Sequence, residues 1–369
     1  MQRITLKAVA KAAGVHPSTV SLALRNQARI PAATRKRIAA IALKMGYQPD
    51  PFLAALNAYR INLTAPQRAV ATLGWLVFRD DDIPWQSVGF VSRYYEGARQ
   101  RARELGFALD TVVADSSAVG QARAARVLKA RGIRGLMLPP VSHGSVFKEF
   151  PWDQFSAVSF GYSLAKPNLT RVTFDHVSGM THMLMAMAQL GYRKIGLHMT
   201  TDSDATERTR QVQIPRVLEG AYLSEHARLF GPPPPVFYES GIPSGEKFRQ
   251  WIKEHQVDAL ILHGVHAMQD IQNSGIAIPG RLGVALCMRD PEDETFAGID
   301  QNDHGVGRQA VDALDGLLRH NILGEPDECV RILVSGCWRT GKSVRCMGGN
   351  RPRLKDKPTR RRALSKRPT

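Results

Sequence analysis

Ile4 to Leu24 reads "ITLKAVAKAAGVHPSTVSLAL". Leu6, Val9, Ala10 and Ala13 recur at helical spacing, which predicts an amphipathic helix that Thr5 can cap and Gly14 can end. Pro17 then stands in a first-turn position, where its missing N–H costs nothing, and Val20, Ala23 and Leu24 point inward from a second helix. A third stretch, "AATRKRIAAIALKMGY", brings Ile38, Ile41, Ala42 and Met45 to one face and stops at Gly46. The first two helices are joined by only about three residues, the spacing of a helix-turn-helix.

The charge distribution points the same way. The chain of 369 residues carries a formal +17, and that charge is concentrated at its two ends. Residues 1–60 hold ten Lys and Arg against the single acid Asp50, and residues 348–369 hold nine against Asp356. Residues 61–347 are neutral. Such a distribution is the electrostatic footprint of a polyanion binder. No run approaches the roughly 20 apolar residues of a membrane helix, and "MQRITLK" lacks the apolar core of a secretory leader. The four cysteines, Cys287, Cys329, Cys337 and Cys346, lack zinc-site spacing. A reduced, cytoplasmic compartment is therefore expected, with no metal and no cofactor.

Beyond the head, "PDPFLAALNAYR" predicts a short helix started by Asp50 and Pro51, and "INLTAPQR" reads as a linker. From residue 69 the pattern changes to short β-rich runs alternating with amphipathic stretches. The first series comprises "ATLGWLVF", "YYEGARQRAREL", "FALDTVVA", "GQARAARVLKARG", "GLMLPP" and "AVSFGY". A second series begins at "RVTFD" and runs through "KIGLHM", "VFYES", "ALILHG" and "VALCM". This alternation predicts an α/β body of two lobes with parallel sheets and a cleft between them. Met180, Met183, Met185 and Met187 read as helix packing. The expected organisation is a helix-turn-helix head with hinge helix (1–60), a linker (61–68), a two-lobed body (69–347) and a disordered basic tail (348–369).

These motifs resemble the LacI-type transcriptional repressors. The head and hinge carry the likeness in "ITLKAVAKAAGVHPSTVSLAL", "IPAATRKRI" and "LKMGYQPDPFLAAL". The body adds "YYEGARQRARELGF", "VTFDHVSGMTHMLMAMAQLGYRKIGL", "SGIAIPGRLGVAL" and "GIDQNDHGVGRQAVDAL". The resemblance implies that Pro17, Ser18, Ser21 and Leu22 face base edges in the major groove. Many members of the family carry Arg at the position of Leu22, so the preferred base there should differ. Thr5, Thr19, Ser21, Arg25, Arg29 and Thr34 match positions that hold phosphates, and Leu53 and Leu56 match the hinge that wedges open the minor groove. It further implies a homodimer on a palindromic double-stranded operator, no membrane partner, and a small-molecule effector between the lobes of a periplasmic-binding-protein-like body. For that effector the candidates are Trp85, Phe90, Asp175, Arg210 and His263. Cys287, Met288 and Arg289 replace an acidic pair common in the family, and Val217 stands where an Arg often binds sugar. A simple neutral sugar therefore fits poorly.

Gly336 to Ser343, "GCWRTGKS", matches the phosphate-loop pattern of NTPases. A phosphate loop needs a helix behind it, and "SVRCMGGNRPRLKD" carries two glycines and a proline within nine residues of Ser343. The expected function is a DNA-binding regulator, not an enzyme. A solute-binding protein without a DNA role is the leading alternative and a P-loop NTPase a remote one.

Overall fold

The computed structural model describes residues 4–24, 29–47, 71–78, 84–115, 117–140, 147, 149–164, 166–201, 213–240, 245–263 and 267–348. The expected hinge helix, the linker and the basic tail lie outside them, as do Arg25, Leu53, Leu56 and Arg210.

The head is three helices, α1 (Leu6–Ala13), α2 (Pro17–Leu24) and α3 (Ala32–Lys44). Thr5 Oγ1 accepts the Ala8 amide at 3.3 Å to cap α1, and Gly14 ends that helix in the left-handed region at φ 65°. Val9, Ala10, Ala13, Val20, Ala23, Ile38 and Ala42 form a shared core. Leu6, Leu24, Ile41 and Met45 pack at its edge. So small a core leaves little to spare, and helix ends matter. Arg37 donates to the Ala13 carbonyl at 3.1 Å, closing the end of α1 with a cation.

The body has two six-stranded sheets. In the first, β1 (Ala71–Phe78), β2 (Phe107–Ala114), β3 (Gly135–Leu138), β4 (Ser156–Phe160), β5 (Thr170–Phe174) and β11 (Arg331–Val334) run in the order β11-β5-β4-β3-β1-β2. Every pairing in it is parallel. The second sheet has the order β12-β10-β9-β8-β6-β7. Its strands are β6 (Ile195–Thr201), β7 (Phe237–Ser240), β8 (Ala259–His263), β9 (Gly283–Leu286), β10 (Ala297–Asp300) and β12 (Cys337–Arg339). Here only the β10–β12 edge pairing is antiparallel. The central strands β3, β4 and β5 are buried throughout, because helices cover both faces of a parallel sheet.

Helices α4 (Gly89–Glu104), α5 (Ala118–Ala130) and α10 (Asp303–His320) serve the first lobe. Helices α6 (His176–Gln189), α7 (Gln213–Phe230), α8 (Gly245–Glu254) and α9 (Ala267–Ser274) serve the second. Helices α4 and α10 pack in close contact. A Cβ on Gly97 would lie 2.2 Å from the His304 carbonyl oxygen, and one on Gly307 would lie 2.0 Å from that of Tyr94. Reciprocal glycines let these two backbones touch. Met180, Met183 and Met187 are buried in the second-lobe core, as expected, whereas Met185 is exposed.

The division between the lobes differs from the sequence expectation. "RVTFD" is β5, which pairs with β4 and β11 in the first sheet, so the second sheet starts only at β6. The chain then returns, because α10 packs on α4 and β11 joins the first sheet before β12 joins the second. Strand–helix alternation is the same on either side of such a crossing, so the pattern alone does not reveal it.

Candidate functional site

Two surfaces concentrate the chemistry. On the head, Lys7, Lys11, Arg29, Lys36, Arg37 and Lys44 are all exposed, and no Asp or Glu precedes Asp50 in the sequence. The positive field is therefore not neutralised within the three helices. At the start of α2, His16 Nδ1 accepts the Ser18 amide at 3.3 Å and lies 2.8 Å from Ser18 Oγ. Ser18 is exposed, and Pro17, Thr19, Ser21, Leu22 and Thr34 are half-buried. Thr5 is exposed and its hydroxyl already caps α1.

The second surface is the cleft between the lobes. The chain crosses between the sheets at Asp175, at Gln301–Asn302 and at Ser335–Gly336. The three crossings touch. Asp175 donates its amide to the Val334 carbonyl at 2.9 Å, and Asn302 Nδ2 reaches the Ser335 carbonyl at 3.4 Å. A Cβ on Gly336 would sit 2.2 Å from the Asp300 carbonyl oxygen and 2.8 Å from the Phe174 ring.

A cavity of about 120 Å³ opens beside these crossings. A single water needs only ~10–15 Å³ of such space, so the void is sized for a small molecule. Its walls come from the carboxyl ends of parallel strands, where open α/β sheets bind ligands. Tyr162 follows β4, His176 follows β5, His263 ends β8, Cys287 and Met288 follow β9, and Gln301 follows β10. Phe90 and Tyr94, one turn apart on α4, complete the first-lobe wall with ring centroids 5.5 Å apart.

Electrostatically the cavity is quiet. Burial, and secondarily His263, hold the His176 imidazole down to about 4, so it is neutral near pH 7. Burial lowers His263 as well, and its buried Nδ1 has no hydrogen-bond partner. Burial pushes the Cys287 thiol up to about 12, which keeps it protonated and unreactive. Burial and the Asp303 charge raise the Tyr94 hydroxyl, which also stays neutral.

Nearby charged groups are engaged elsewhere. Asp175 caps α6, accepting the Ser178 amide at 3.1 Å and the Ser178 hydroxyl at 2.5 Å. Arg289 donates to the Phe296 carbonyl at 2.7 Å and to the Pro291 carbonyl at 3.3 Å. Arg171 donates to the Leu164 carbonyl at 2.7 Å. Arg93 spans the lobes, 2.8 Å from Asp303 at the start of α10 and 3.2 Å from Asp290 in the second lobe.

Of the five residues singled out from sequence for the effector, Phe90 and His263 line the cavity. Asp175 stands beside it as a helix cap. Trp85 packs in an aromatic cluster 5.7 Å from Trp75 and 4.8 Å from Tyr95, and is not part of the lining. Tyr94, Tyr162, His176 and Gln301 were not singled out. Taking the residues just after each apolar strand run would have found three of them, and the helical repeat from Phe90 would have found Tyr94.

The stretch "GCWRTGKS" forms β12 and a turn, and among the described residues no helix follows it. The Ser343 hydroxyl is buried, donating to the Val284 carbonyl at 2.6 Å and accepting the Ala297 amide at 2.8 Å. It ties the turn to β9 and β10.

Comparison with known proteins agrees with this architecture. Residues 5–50 match the family described as bacterial regulatory proteins, lacI family. The HTH-type transcriptional regulator DegA of Bacillus subtilis (strain 168) is 26% identical over 212 residues, 56% of this chain. That match spans 58% of DegA's own length. Among solved structures, a transcriptional regulator CelR–cellobiose complex aligns over 92% of this chain and 100% of its own, with TM-score 0.53 and 19% identity. The lac repressor dimer bound to operator and the anti-inducer ONPF aligns over 93% of this chain and 100% of its own, with TM-score 0.51 and 18% identity. At such identities the structural likeness speaks for the fold alone. The three-helix head thus matches the lacI family of bacterial regulatory proteins, and the two-lobed α/β body shares the fold of the solved regulators.

Proposed function

We propose that the protein is a cytoplasmic, homodimeric, sequence-specific transcriptional regulator, most simply a repressor, whose grip on DNA is set by a small molecule in the cleft. The observation that carries this reading is the head, a lacI-type helix-turn-helix with exposed cations and no acid to neutralise them. In it Pro17, Ser18, Ser21 and Leu22 face base edges, while Thr5, Thr19, Ser21, Arg25, Arg29 and Thr34 hold phosphates. Leu53 and Leu56, from the hinges of two subunits, wedge the centre of a palindromic site. The cleft supports the second half of the proposal. Three touching crossings form a hinge, so a ligand bridging Phe90 and His263 biases lobe closure.

The body is read as binding without catalysing. Cys287 is protonated, and the Ser343 hydroxyl that an NTPase would offer to Mg²⁺ is committed to the sheet. Deleting residues 1–60 tests the proposal. Binding to a palindromic duplex selected with the full chain should vanish in gel shifts, while circular dichroism shows a folded body. Specific binding retained by residues 61–369 would refute it and favour a solute-binding protein.

A further inference from the structure

The described cavity wall is unlike a site for a charged ligand. Among the described residues no Asp, Glu, Lys or Arg lines it. Beside it, Asp175 caps α6, Arg171 and Arg289 donate to main-chain carbonyls and Asp303 accepts from Arg93, although Arg171 Nε and Asp303 Oδ1 have no partner among the described residues. An anion or cation entering this space would lose its hydration and gain no counter-charge from the described lining. A sugar would be paired only in part, by Tyr162, Ser163, Thr173, His176 and Gln301. Its hydroxyls facing Leu218, Cys287 and Met288 would stay unpaired, and each such group costs ~1–3 kcal/mol. The wall offers aromatic faces instead, from Phe90, Tyr94 and Tyr162, which suit a flat apolar ring. It also offers an open polar atom, the buried and unpartnered Nδ1 of His263.

Building on the reading of the cleft as an effector site, we propose that the effector is an uncharged aryl compound bearing a hydroxyl or similar group. Its ring lies against Phe90, Tyr94 and Tyr162, and its polar group bonds to His263. A site built this way discriminates by what it leaves unpaired. A carboxylate or an ammonium on the same ring is rejected for want of a partner, and a hydrocarbon ring leaves His263 unsatisfied.

Calorimetric titration of the full-length protein with a small panel tests this. Benzyl alcohol should bind saturably, with benzoate and benzylammonium at least tenfold weaker, toluene weaker, and glucose and cellobiose silent. His263→Leu should bring benzyl alcohol down to the level of toluene without weakening toluene. Met288→Arg, at a half-exposed position, should favour benzoate over benzyl alcohol. Glucose or cellobiose binding where benzyl alcohol does not, benzoate matching benzyl alcohol in the unaltered protein, or no aryl binding at all would overturn the proposal. Gel shifts on the same preparations without ligand keep the two readings apart. Operator binding without aryl binding fells this proposal alone, and aryl binding without operator binding fells only the regulator.

Discussion

The head and the cleft treat charge in opposite ways. On the head, cations stand in water with no carboxylate to answer them, which costs little at an exposed site and leaves the field available to a polyanion. In the cleft, the described residues that line the cavity carry no charged side chain. A surface that must find a long polyelectrolyte benefits from range, whereas an enclosed site for a small molecule selects by what it cannot satisfy. The two regions of one chain thus differ in their physics.

The sharpest way to break that contrast is to move a negative charge between the regions. Cys287→Asp places a carboxyl in the cleft with no partner, and it should lower stability by about 3 kcal/mol in urea unfolding. Ser18→Asp at the exposed start of α2 should leave stability within about 0.5 kcal/mol, since acids are tolerated at helix N-termini, yet it should abolish specific DNA binding. A Cys287→Asp protein as stable as the parent would mean that the cleft holds a cation it does not display.

Acid titration probes the same neutrality. His176 is held at about 4 against an ordinary 6.5. The folded state therefore prefers the neutral ring, and its contribution is complete above pH 6.5. It should be lost progressively toward pH 4, to a total of up to about 3 kcal/mol. His176→Gln should flatten the fall in urea midpoint across that window. Superimposable pH profiles for variant and parent would show that the ring titrates normally.

A smaller effect is expected in the head. Leu22→Arg adds a donor fork for guanine, and selection of bound sequences from a random pool should shift toward G at one symmetric pair of positions by roughly 1–3 kcal/mol. Unchanged preferences would mean that Leu22 does not face the bases. The smallest expected change concerns residues 348–369, with nine basic residues and one acid. Ending the chain at Gly348 should flatten the dependence of log affinity on log salt without moving the preferred site. An unaltered slope would leave that segment no DNA contact.

The head was legible because its structure is local. Thr5, Gly14, Pro17 and Gly46 punctuate helices whose inward faces follow a 3.6-residue repeat, and all three helices meet within about forty residues. The lobes were legible as strand–helix alternation, but not in their membership. Nothing near Arg171 or Arg331 says that β5 and β11 will lie side by side 160 residues apart. The cavity was legible only in fragments for the same reason. Phe90, His176, His263 and Gln301 meet because strands from both sheets end at one place, and no sequence window holds them together. Asp175 illustrates the opposite hazard, since a carboxylate at a strand end suits a ligand and a helix cap equally well.

The triple crossing between the lobes also bears on how the protein is made. The first sheet is not complete until β11, at residues 331–334, has left the ribosome, and α4 lacks its partner until α10 follows at residues 303–320. Until then β5 presents an unpaired edge, and the α4 face carrying Val91, Ala98 and Ala102 has nothing against it. The second lobe lies inside this gap, so most of its strands are synthesised while the first is still unfinished. The N-terminal lobe should therefore be the later of the two to become protease-resistant on stalled nascent chains. Chains cut short before residue 303 should accumulate as a folded head joined to a body that aggregates.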